Sequence, residues 1–484
     1  MRPVLPHTIQ SQTFQVEVSG SEADGMALQR QLAALSSSLM PVIEQALDRY
    51  APEHGVLRID RLEVDAGRVA LERLDGELPA LLRRGLEEAL SARIASAPDG
   101  EDPVRHVGMT QAMDEALSYF LRYATLPASV HLPPSQDFEQ MLLEGWRGAS
   151  ASSGEARLSA SVAGTAAGLP SVPPSLMATL RSAGALDRLG RQFSPTFQQV
   201  LVARLTPVLA PTLQSALQYL RTQEQGAMLA VAERLLCRAA LELALDDRTT
   251  VDALPVQEAL WRGLPERAGR AALSVVRQTH VEKRPVAVLL KNGAPGADAL
   301  RDAGVPASPA IRDGAAHPDS AHGIYIDNAG LVLLHPFLPA LFEELGLARD
   351  GQLVQPERAL ALMHFLASGQ PQAPEYALAL PKLLCQLPLT ANIEPGVVLH
   401  AAERAEADVL LKAVIGHWSA LRDTSPDGLR GAFLLRPGKL SERGGEWLLQ
   451  VERQTADILL GDLPWGYSAI RLPWMAGILW VEWN

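Results

Sequence analysis

The apolar positions in the N-terminal part of the chain follow two different periods. Within residues 8–18 apolar side chains recur at every second position, which predicts a half-buried strand. Residues 26–50 repeat apolar side chains three or four positions apart, as an amphipathic helix does. A coiled-coil seam is the alternative, but Pro41 interrupts the run before three heptads are complete. A second strand at 57–64 and a second helix at 78–94 follow, so this order predicts a small α/β module.

Helical periodicity resumes after this module and is interrupted by two segments of different composition. Further helices complete an N-terminal domain predicted for residues 1–147. Residues 148–180 contain 22 Ala, Ser, Gly or Pro among 33, which predicts a flexible linker. A helical segment is predicted for 181–281. A second flexible linker, rich in Ala, Pro, Gly and Asp, is predicted for 282–322.

The last predicted domain, residues 323–484, combines helical runs with clear turn signals. Ser425-Pro426-Asp427-Gly428 has turn chemistry, and Gly444-Gly445 separates two alternating runs as a hairpin turn does. We predict, from Gly416 onwards, a helix, a turn, a short helix, a hairpin, a further helix and two closing strands. The predicted fold class is α+β and mainly helical. It comprises a strand-helix-strand-helix N-terminal module, a helical middle and a C-terminal helical domain closed by a small antiparallel sheet.

Five short phrases follow one another through the C-terminal domain. They are Val414-Ile415-Gly416-His417-Trp418, Thr424-Ser425-Pro426-Asp427-Gly428-Leu429-Arg430, Arg436-Pro437-Gly438-Lys439-Leu440, Leu463-Pro464-Trp465-Gly466 and Arg471-Leu472-Pro473-Trp474-Met475. In order and spacing they resemble the contractile injection system tape measure family, which is found in phage-tail-like particles. The resemblance covers residues 5–95 and 322–484. Where the family tends to carry a tryptophan after Leu126-Pro127, this chain has Ala128.

The resemblance implies a function in tail-length determination and assembly of a contractile injection particle. Tube, baseplate or terminator proteins are the implied partners, self-association is a further expectation, and no enzymatic activity is implied. A folded assembly factor or adaptor that does not measure length is the alternative. A chain of 484 residues would span about 730 Å as one helix, but 35 prolines and 37 glycines prevent such a helix. The sequence instead predicts folded ends joined by linkers.

Charge and hydropathy narrow the class of protein further. The net charge of −12 argues against nucleic acid as a partner, because nucleic-acid binding needs a basic face. No stretch of about 18 uninterrupted apolar residues is present, so we expect no membrane-spanning segment. The first residues lack the apolar run of a secretory signal. We therefore expect the chain to be cytoplasmic during assembly and to be incorporated into the particle.

Few residues have the type and spacing of a catalytic or metal-binding site. Cys237 and Cys385 lie far apart and form no CxxC pair, so neither a disulfide framework nor a zinc site is expected, and no cofactor is expected. Asp60, Glu63 and Asp65 are a candidate site for a divalent cation. On a strand Glu63 and Asp65 share a face while Asp60 does not, unless a bulge intervenes, so a solvated strand edge is the favoured interpretation.

Three histidines, His335, His364 and His417, lie in apolar runs, as does Cys385. A nucleophilic Cys-His pair is one interpretation of these residues. No orienting group accompanies them in the sequence, and the chain lacks the glycine-rich, zinc-protease and serine-hydrolase motifs. We therefore predict that all four residues are buried and hydrogen-bonded in the core.

The tryptophans near the C-terminus are the candidate protein interface. They are Trp465, Trp474, Trp480 and Trp483. Tryptophan is enriched at interaction hot spots, but these residues are also expected to fill the core of the closing sheet. Alternation along the last strand places Trp480 on one face and Trp483 on the other. The strand is then apolar on both faces, so we expect at least one face to be covered.

Overall fold

The computed structural model describes most of the chain in separate stretches. They are residues 39–52, 55–70, 73–95, 104–130, 136–152, 171–223, 227–245 and 323–483, with residues 7, 9, 12–17, 28 and 132 in addition. The chain divides into two compact units. The first comprises Met1–Ala116, Ala128–Ser159 and Ala167–Pro173, and the second comprises Leu117–Pro127, Ala160–Ala166 and Pro174–Asn484.

The first unit contains a two-stranded sheet and several helices. Its elements in chain order are α1 (residues 39–50), β1 (Val56–Ile59), α2 (Leu74–Ala95), β2 (Val104–Val107), the beginning of α3 (Met109–Tyr123) and α4 (Phe138–Ser152). Strands β1 and β2 pair antiparallel, with Val56 opposite Val107. An apolar cluster joins α1 to α2 through Leu39, Ile43, Ala46, Leu82 and Leu86. The α1 helix continues through Pro41, so this proline does not end it.

The predicted first strand is wrong for the residues that the structure describes. Residues 12–17 form no ladder, and their side chains are exposed. The partner of β1 is β2, a strand that is absent from the predicted elements, and β1 ends at Ile59 instead of continuing to residue 64. Alternating apolar positions identify a segment that can form a strand. They do not identify which segment supplies the partner edge, and here β2 supplies it.

Both ends of the first predicted linker are helical. Helix α4 continues to Ser152, and helix α5 (Pro174–Leu180) begins before residue 180, with Leu176 and Leu180 buried. Small residues do not prevent a helix where apolar side chains at helical spacing can pack against a core. Residues 148–152 and 174–180 of the predicted linker are therefore helical. Residues 153–170 lie outside the described part of the chain. The second predicted linker, 282–322, lies entirely outside it.

The second unit begins with short helices that carry clear start signals. After α5 come α6 (Ala183–Gln192), α7 (Pro195–Leu205), α8 (Leu209–Gln223) and α9 (Ala227–Leu245). The Ser182 hydroxyl accepts from the Ala185 amide, and the Ser194 hydroxyl accepts from the Phe197 amide. Both serines are N-caps, which satisfy amides that lack an intrahelical partner.

The C-terminal part of the second unit, residues 323–483, mixes helices with a five-stranded sheet. Its helices are α10 (Leu338–Glu344), α11 (Pro356–Ser368), α12 (Ala379–Leu384), α13 (Ala401–His417) and α14 (Pro426–Leu429). Its strands are β3 (Ile324–Ile326), β4 (Ala348–Arg349), β5 (Gln352–Leu353), β6 (Gly438–Arg443), β7 (Glu446–Val451), β8 (Ala469–Ile470) and β9 (Leu479–Trp483). Short 3-10 helices cover Ala329–Leu334 and Thr455–Asp462. The predicted order of elements after Gly416 is confirmed in outline, with the 3-10 helix Thr455–Asp462 as the further helix. The residues Ser425–Gly428, predicted as a turn, instead form the N-cap and the beginning of α14.

The five-stranded sheet has the order β3-β6-β7-β9-β8, and β4 and β5 form a separate hairpin. Three neighbouring pairs of the five-stranded sheet are antiparallel, as predicted, but β7 and β9 run parallel. The chain between these two strands is long enough to return to the start of the sheet, which a parallel pair requires. The sheet is therefore mixed, and β9 is an internal strand and not an edge.

One apolar core holds this C-terminal part together. It extends from Ile324 to Val481 and includes residues of α11, α13 and one face of the sheet. At Gly330 the backbone lies so close to the backbone of Phe433 that a Cβ atom would be 1.6 Å from the Phe433 carbonyl oxygen. A side chain at this position would separate the Ala329–Leu334 helix from the segment before β6.

Candidate functional site

Three of the four candidate interface tryptophans are partly buried and pack against the C-terminal core. The indole N–H groups of Trp465 and Trp474 donate to the carbonyl oxygens of Leu333 (3.0 Å) and Leu384 (2.8 Å). Trp483 donates to Asp457 Oδ2 at 2.9 Å, and all three rings pack against the core. Trp480 differs, since 43% of its surface is exposed and its indole N–H donates to Glu446 at the surface. An interface through all four residues remains a prediction that the structure does not test.

The carboxylate that receives Trp483 belongs to a buried ion pair. Both terminal nitrogens of Arg436 contact Asp457, at 2.6 and 2.8 Å, and Arg436 is entirely buried. The guanidinium also lies 5.4 Å from the centre of the Trp483 ring. Burial acts to raise the pKa of Asp457, but hydrogen bonds from Arg436, the Gln454 amide and Trp483 together hold it below its ordinary value. This network ties the segment before β6 to β9.

A second guanidinium, that of Arg430, joins α11 to α13. It follows α14 and donates to the Leu366 carbonyl at 3.2 Å, to Asp427 at 2.8 Å and to Asp408 at 3.2 Å. Its carbon centre lies 5.4 Å from the centre of the Phe365 ring. Arg430 and Arg436 both end or begin phrases that carry the family resemblance, so those phrases encode contacts within the fold.

The middle helices meet the C-terminal part through a buried group of charges. Arg188 of α6 lies 3.1 Å from Glu375, and Glu375 lies 2.9 Å from the ammonium of Lys382. Lys382 also donates to the carbonyls of Leu389 and Ala391, and Arg188 donates to those of Leu121 and Thr390. Burial lowers the pKa of Lys382 to about 8 although Glu375 favours its charged form. The group holds two cations for one carboxylate, and backbone carbonyls complete their hydrogen bonds.

The alternative interpretation, a nucleophilic Cys-His pair, finds no support in the positions of these residues. Cys385 is buried, and burial raises the pKa of its thiol, which disfavours the reactive thiolate. Cys237 is also buried, and burial together with Glu233 raises its thiol pKa to about 12. His335 contacts the Val332 carbonyl at 2.9 Å, and His364 is buried in α11. The prediction that His417 is buried is wrong: it lies exposed at the end of α13, 5.9 Å from the Phe337 ring.

The candidate cation site at Asp60, Glu63 and Asp65 does not form a cluster of ligands. Glu63 pairs with Arg61 at 2.7 Å, and Asp65 accepts from the Gly67 amide at 2.8 Å. Throughout the stretches that the structure describes, no group of three or more His, Cys, Asp or Glu is arranged to hold a metal ion. Within the same stretches no helix is long and apolar enough to cross a membrane.

Sequence reasoning missed the buried charges. Lys382 lies within an otherwise apolar run, and Arg436 follows the apolar run that ends at Leu435. A single charge in such a run is the signal that could have found them, because a buried charge needs a partner. The partner of Arg436 is Asp457, 21 residues away. The partner of Lys382 is Glu375, seven residues away, and the sequence offers no pattern that singles out either carboxylate.

The described residues therefore define a mainly helical α+β protein whose buried polar groups support the fold. The sequence matches the family described as contractile injection system tape measure protein over residues 6–483. The chain belongs to this family. No curated protein and no solved structure matches significantly.

Acid should destabilise the second unit through His364. Burial lowers the pKa of His364 to about 4, although a hydrogen bond with the Gln372 backbone opposes the shift. The unfolded chain therefore binds a proton near the ordinary pKa of about 6.5 that the folded chain does not bind. The neutral His364 therefore contributes about 3 kcal/mol to the free energy of unfolding above pH 6.5. We expect this contribution to be lost as the pH falls towards 4. Urea unfolding at stepped pH values measures it.

The matched variants for this experiment are His364→Gln and His417→Gln. The first removes the buried imidazole and should make the loss of stability between pH 6.5 and 4 smaller. The second removes an exposed imidazole and should leave the change as it is. Equal pH dependence in both variants would show that burial of His364 is not the cause.

Proposed function

We propose that the chain takes part in setting tail length during assembly of a contractile injection particle, with its folded parts as attachment points. Membership of the tape measure family supports this proposal. The observation that carries it further is the C-terminal part, where the phrases shared with the family form a core with its own buried ion pairs. A folded end of this kind can be held by a tube, baseplate or terminator protein while other residues define a distance.

The helices themselves are too short to measure a tail. The 22-residue helix α2, the longest that the structure describes, spans about 33 Å. Length must then depend on residues outside the folded elements. Residues 153–170 lie between α4 and α5 and can be removed without deleting any described helical residue.

A folded assembly factor or adaptor is the second candidate. The compactness of both units favours it, because residues packed in a core cannot extend along a tube. An adaptor would attach to one particle component through a folded part and would organise assembly without defining a distance. The two candidates predict different responses to a change in chain length.

Deletions of 6, 12 and 18 residues within 153–170 separate the two candidates. If these residues lie along the tube, removing all 18 should shorten every particle by about 27 Å when they are helical or about 60 Å when they are extended. The shortening should increase linearly with the number of residues removed. Electron microscopy of particles from strains that carry each deletion measures it.

The control replaces residues 153–170 by a shuffled sequence of the same length and composition. Its particles should have the original length, because a ruler depends on residue number and not on residue order. Normal particle lengths across all three deletions would contradict length determination by this segment and would support the adaptor.

A further inference from the structure

The five-stranded sheet packs one face against the C-terminal core, whereas its other face carries exposed side chains beside Ser441 and Leu448, which are themselves buried. Leu440, Leu449 and Val481 lie in the C-terminal core, as do Leu479 and Ile470. Side chains alternate along strands, so the intervening residues lie on the opposite side. We call this side the outward face; it is formed by Tyr325, Lys439, Ser441, Leu448, Gln450, Ala469, Trp480 and Glu482. Trp480 and Tyr325 are 43% and 38% exposed on it.

The register of the strands arranges the outward face in two rows. In one row Lys439 lies opposite Gln450, and Gln450 lies opposite Glu482. In the other row Ser441 lies opposite Leu448, and Leu448 lies opposite Trp480. Each row therefore begins on β6, crosses β7 and ends on β9. Positive charge and a small residue lie on β6, whereas negative charge and a large residue lie on β9.

We propose that the outward face binds the outward face of a second copy of this chain. A two-fold axis that runs along β7, between two facing sheets, lays β9 of each copy over β6 of the other. Because the rows are kept, Lys439 then faces Glu482 of the second copy, and Glu482 faces its Lys439. The same rotation lays the exposed Trp480 over Ser441, and it places Leu448, which is only 7% exposed, on the axis below them. Charge and shape are complementary under one symmetry operation, as a two-fold interface requires.

The side chains of the outward face are already held in fixed positions. Ser441 is buried between larger neighbours, and its hydroxyl has no hydrogen-bond partner among the described residues. It marks a low point of the face that a ring can cover. The Trp480 ring is held in place by its hydrogen bond of 2.6 Å to Glu446, and the Glu482 carboxylate receives Gln450 at 2.9 Å. Little conformational freedom is lost when such residues bind.

The size of the face indicates a weak, reversible dimer. The five strands lie about 4.8 Å apart and vary from two to six residues in length, which gives a face of roughly 350 Å². A standard stable interface buries about 800 Å² on each partner. We therefore expect association only at high protein concentration.

Charge reversal across the two-fold axis tests this arrangement. Sedimentation equilibrium of the full chain between about 10 μM and about 1 mM should show a monomer-dimer equilibrium. Lys439→Glu and Glu482→Lys should each weaken it at least tenfold, because each places like charges opposite each other twice. An equimolar mixture of the two variants should restore dimerisation, since both charge pairs are then attractive in the mixed dimer.

Two further variants test whether association depends on the outward face or on exposed apolar surface in general. Trp480→Ser should weaken dimerisation, whereas Ile458→Ser, which removes an apolar side chain that is 82% exposed outside the sheet, should not. Far-UV circular dichroism checks that every variant is folded. Absence of dimers at 1 mM, dimers insensitive to either charge reversal, or a mixture no stronger than its components would each overturn the proposal. These measurements use the isolated chain and do not depend on particle length.

Discussion

Truncation after Gly477 should leave a chain that no longer unfolds cooperatively and that aggregates. The truncation removes β9, which lies between β7 and β8 and pairs with both. It removes Leu479 and Val481 from the core and exposes the edge of β7 from Trp447 to Val451. The combined loss is several kcal/mol, which is a large part of the total stability of an ordinary domain.

Thermal unfolding followed by circular dichroism, together with light scattering, measures this effect. The matched control is Trp480→Ser in the full chain, which changes the same strand on its outward face and keeps every backbone pair. It should melt cooperatively near the temperature of the unchanged chain. If the truncated chain remains monomeric and melts in one sharp transition, β9 is an arm attached to the domain and not part of its folding unit.

Local signals made much of the C-terminal architecture predictable. Ser425 caps α14 by accepting from the Gly428 amide at 3.1 Å, so the segment predicted as a turn is the first turn of a short helix. Gly444 and Gly445 both have positive φ, at 62° and 86°, which is the geometry of the predicted hairpin turn between β6 and β7. In each case the local structure depends on residues that are adjacent in sequence, so it can be predicted from the sequence alone.

Pairing between distant segments was less predictable. The alternation of β9 fits an antiparallel neighbour as well as a parallel one, so it could not show that β7 and β9 run parallel. The same limit explains the N-terminal error, where β1 pairs with β2 and not with the amphipathic residues 12–17. Alternation reports that a segment has two faces. It carries no information on which edge the segment meets.

The candidate interface was predictable only in part. Sequence alternation placed Trp480 and Trp483 on opposite faces, which the structure confirms by exposing the first and packing the second. It could not show that Trp465 and Trp474 donate to the carbonyls of distant helices. Tryptophan has a large apolar ring and one donor, so it suits cores and interfaces equally well. Only the position of its ring in the fold separates the two uses.

Asp457→Ala should destabilise the second unit by about 3–5 kcal/mol, because it leaves the guanidinium of a fully buried Arg436 without its carboxylate. The same substitution removes the acceptor of the Gln454 amide and of the Trp483 indole. The contribution of Asp457 is present above the ordinary carboxylate pKa and is lost as the pH falls through the lowered pKa of the folded state. Urea unfolding at pH 7 and at pH 3 measures both effects.

The matched control is Asp427→Ala, since Asp427 also pairs with an arginine, Arg430, at 2.8 Å but has a largely exposed side chain. Its removal should cost less than about 1 kcal/mol. A double variant, Arg436→Met with Asp457→Leu, should be more stable than Asp457→Ala alone, because no unpaired charge remains buried. If the double variant were the less stable of the two, the cost would come from lost packing around β9, and the buried ion pair would not be the cause.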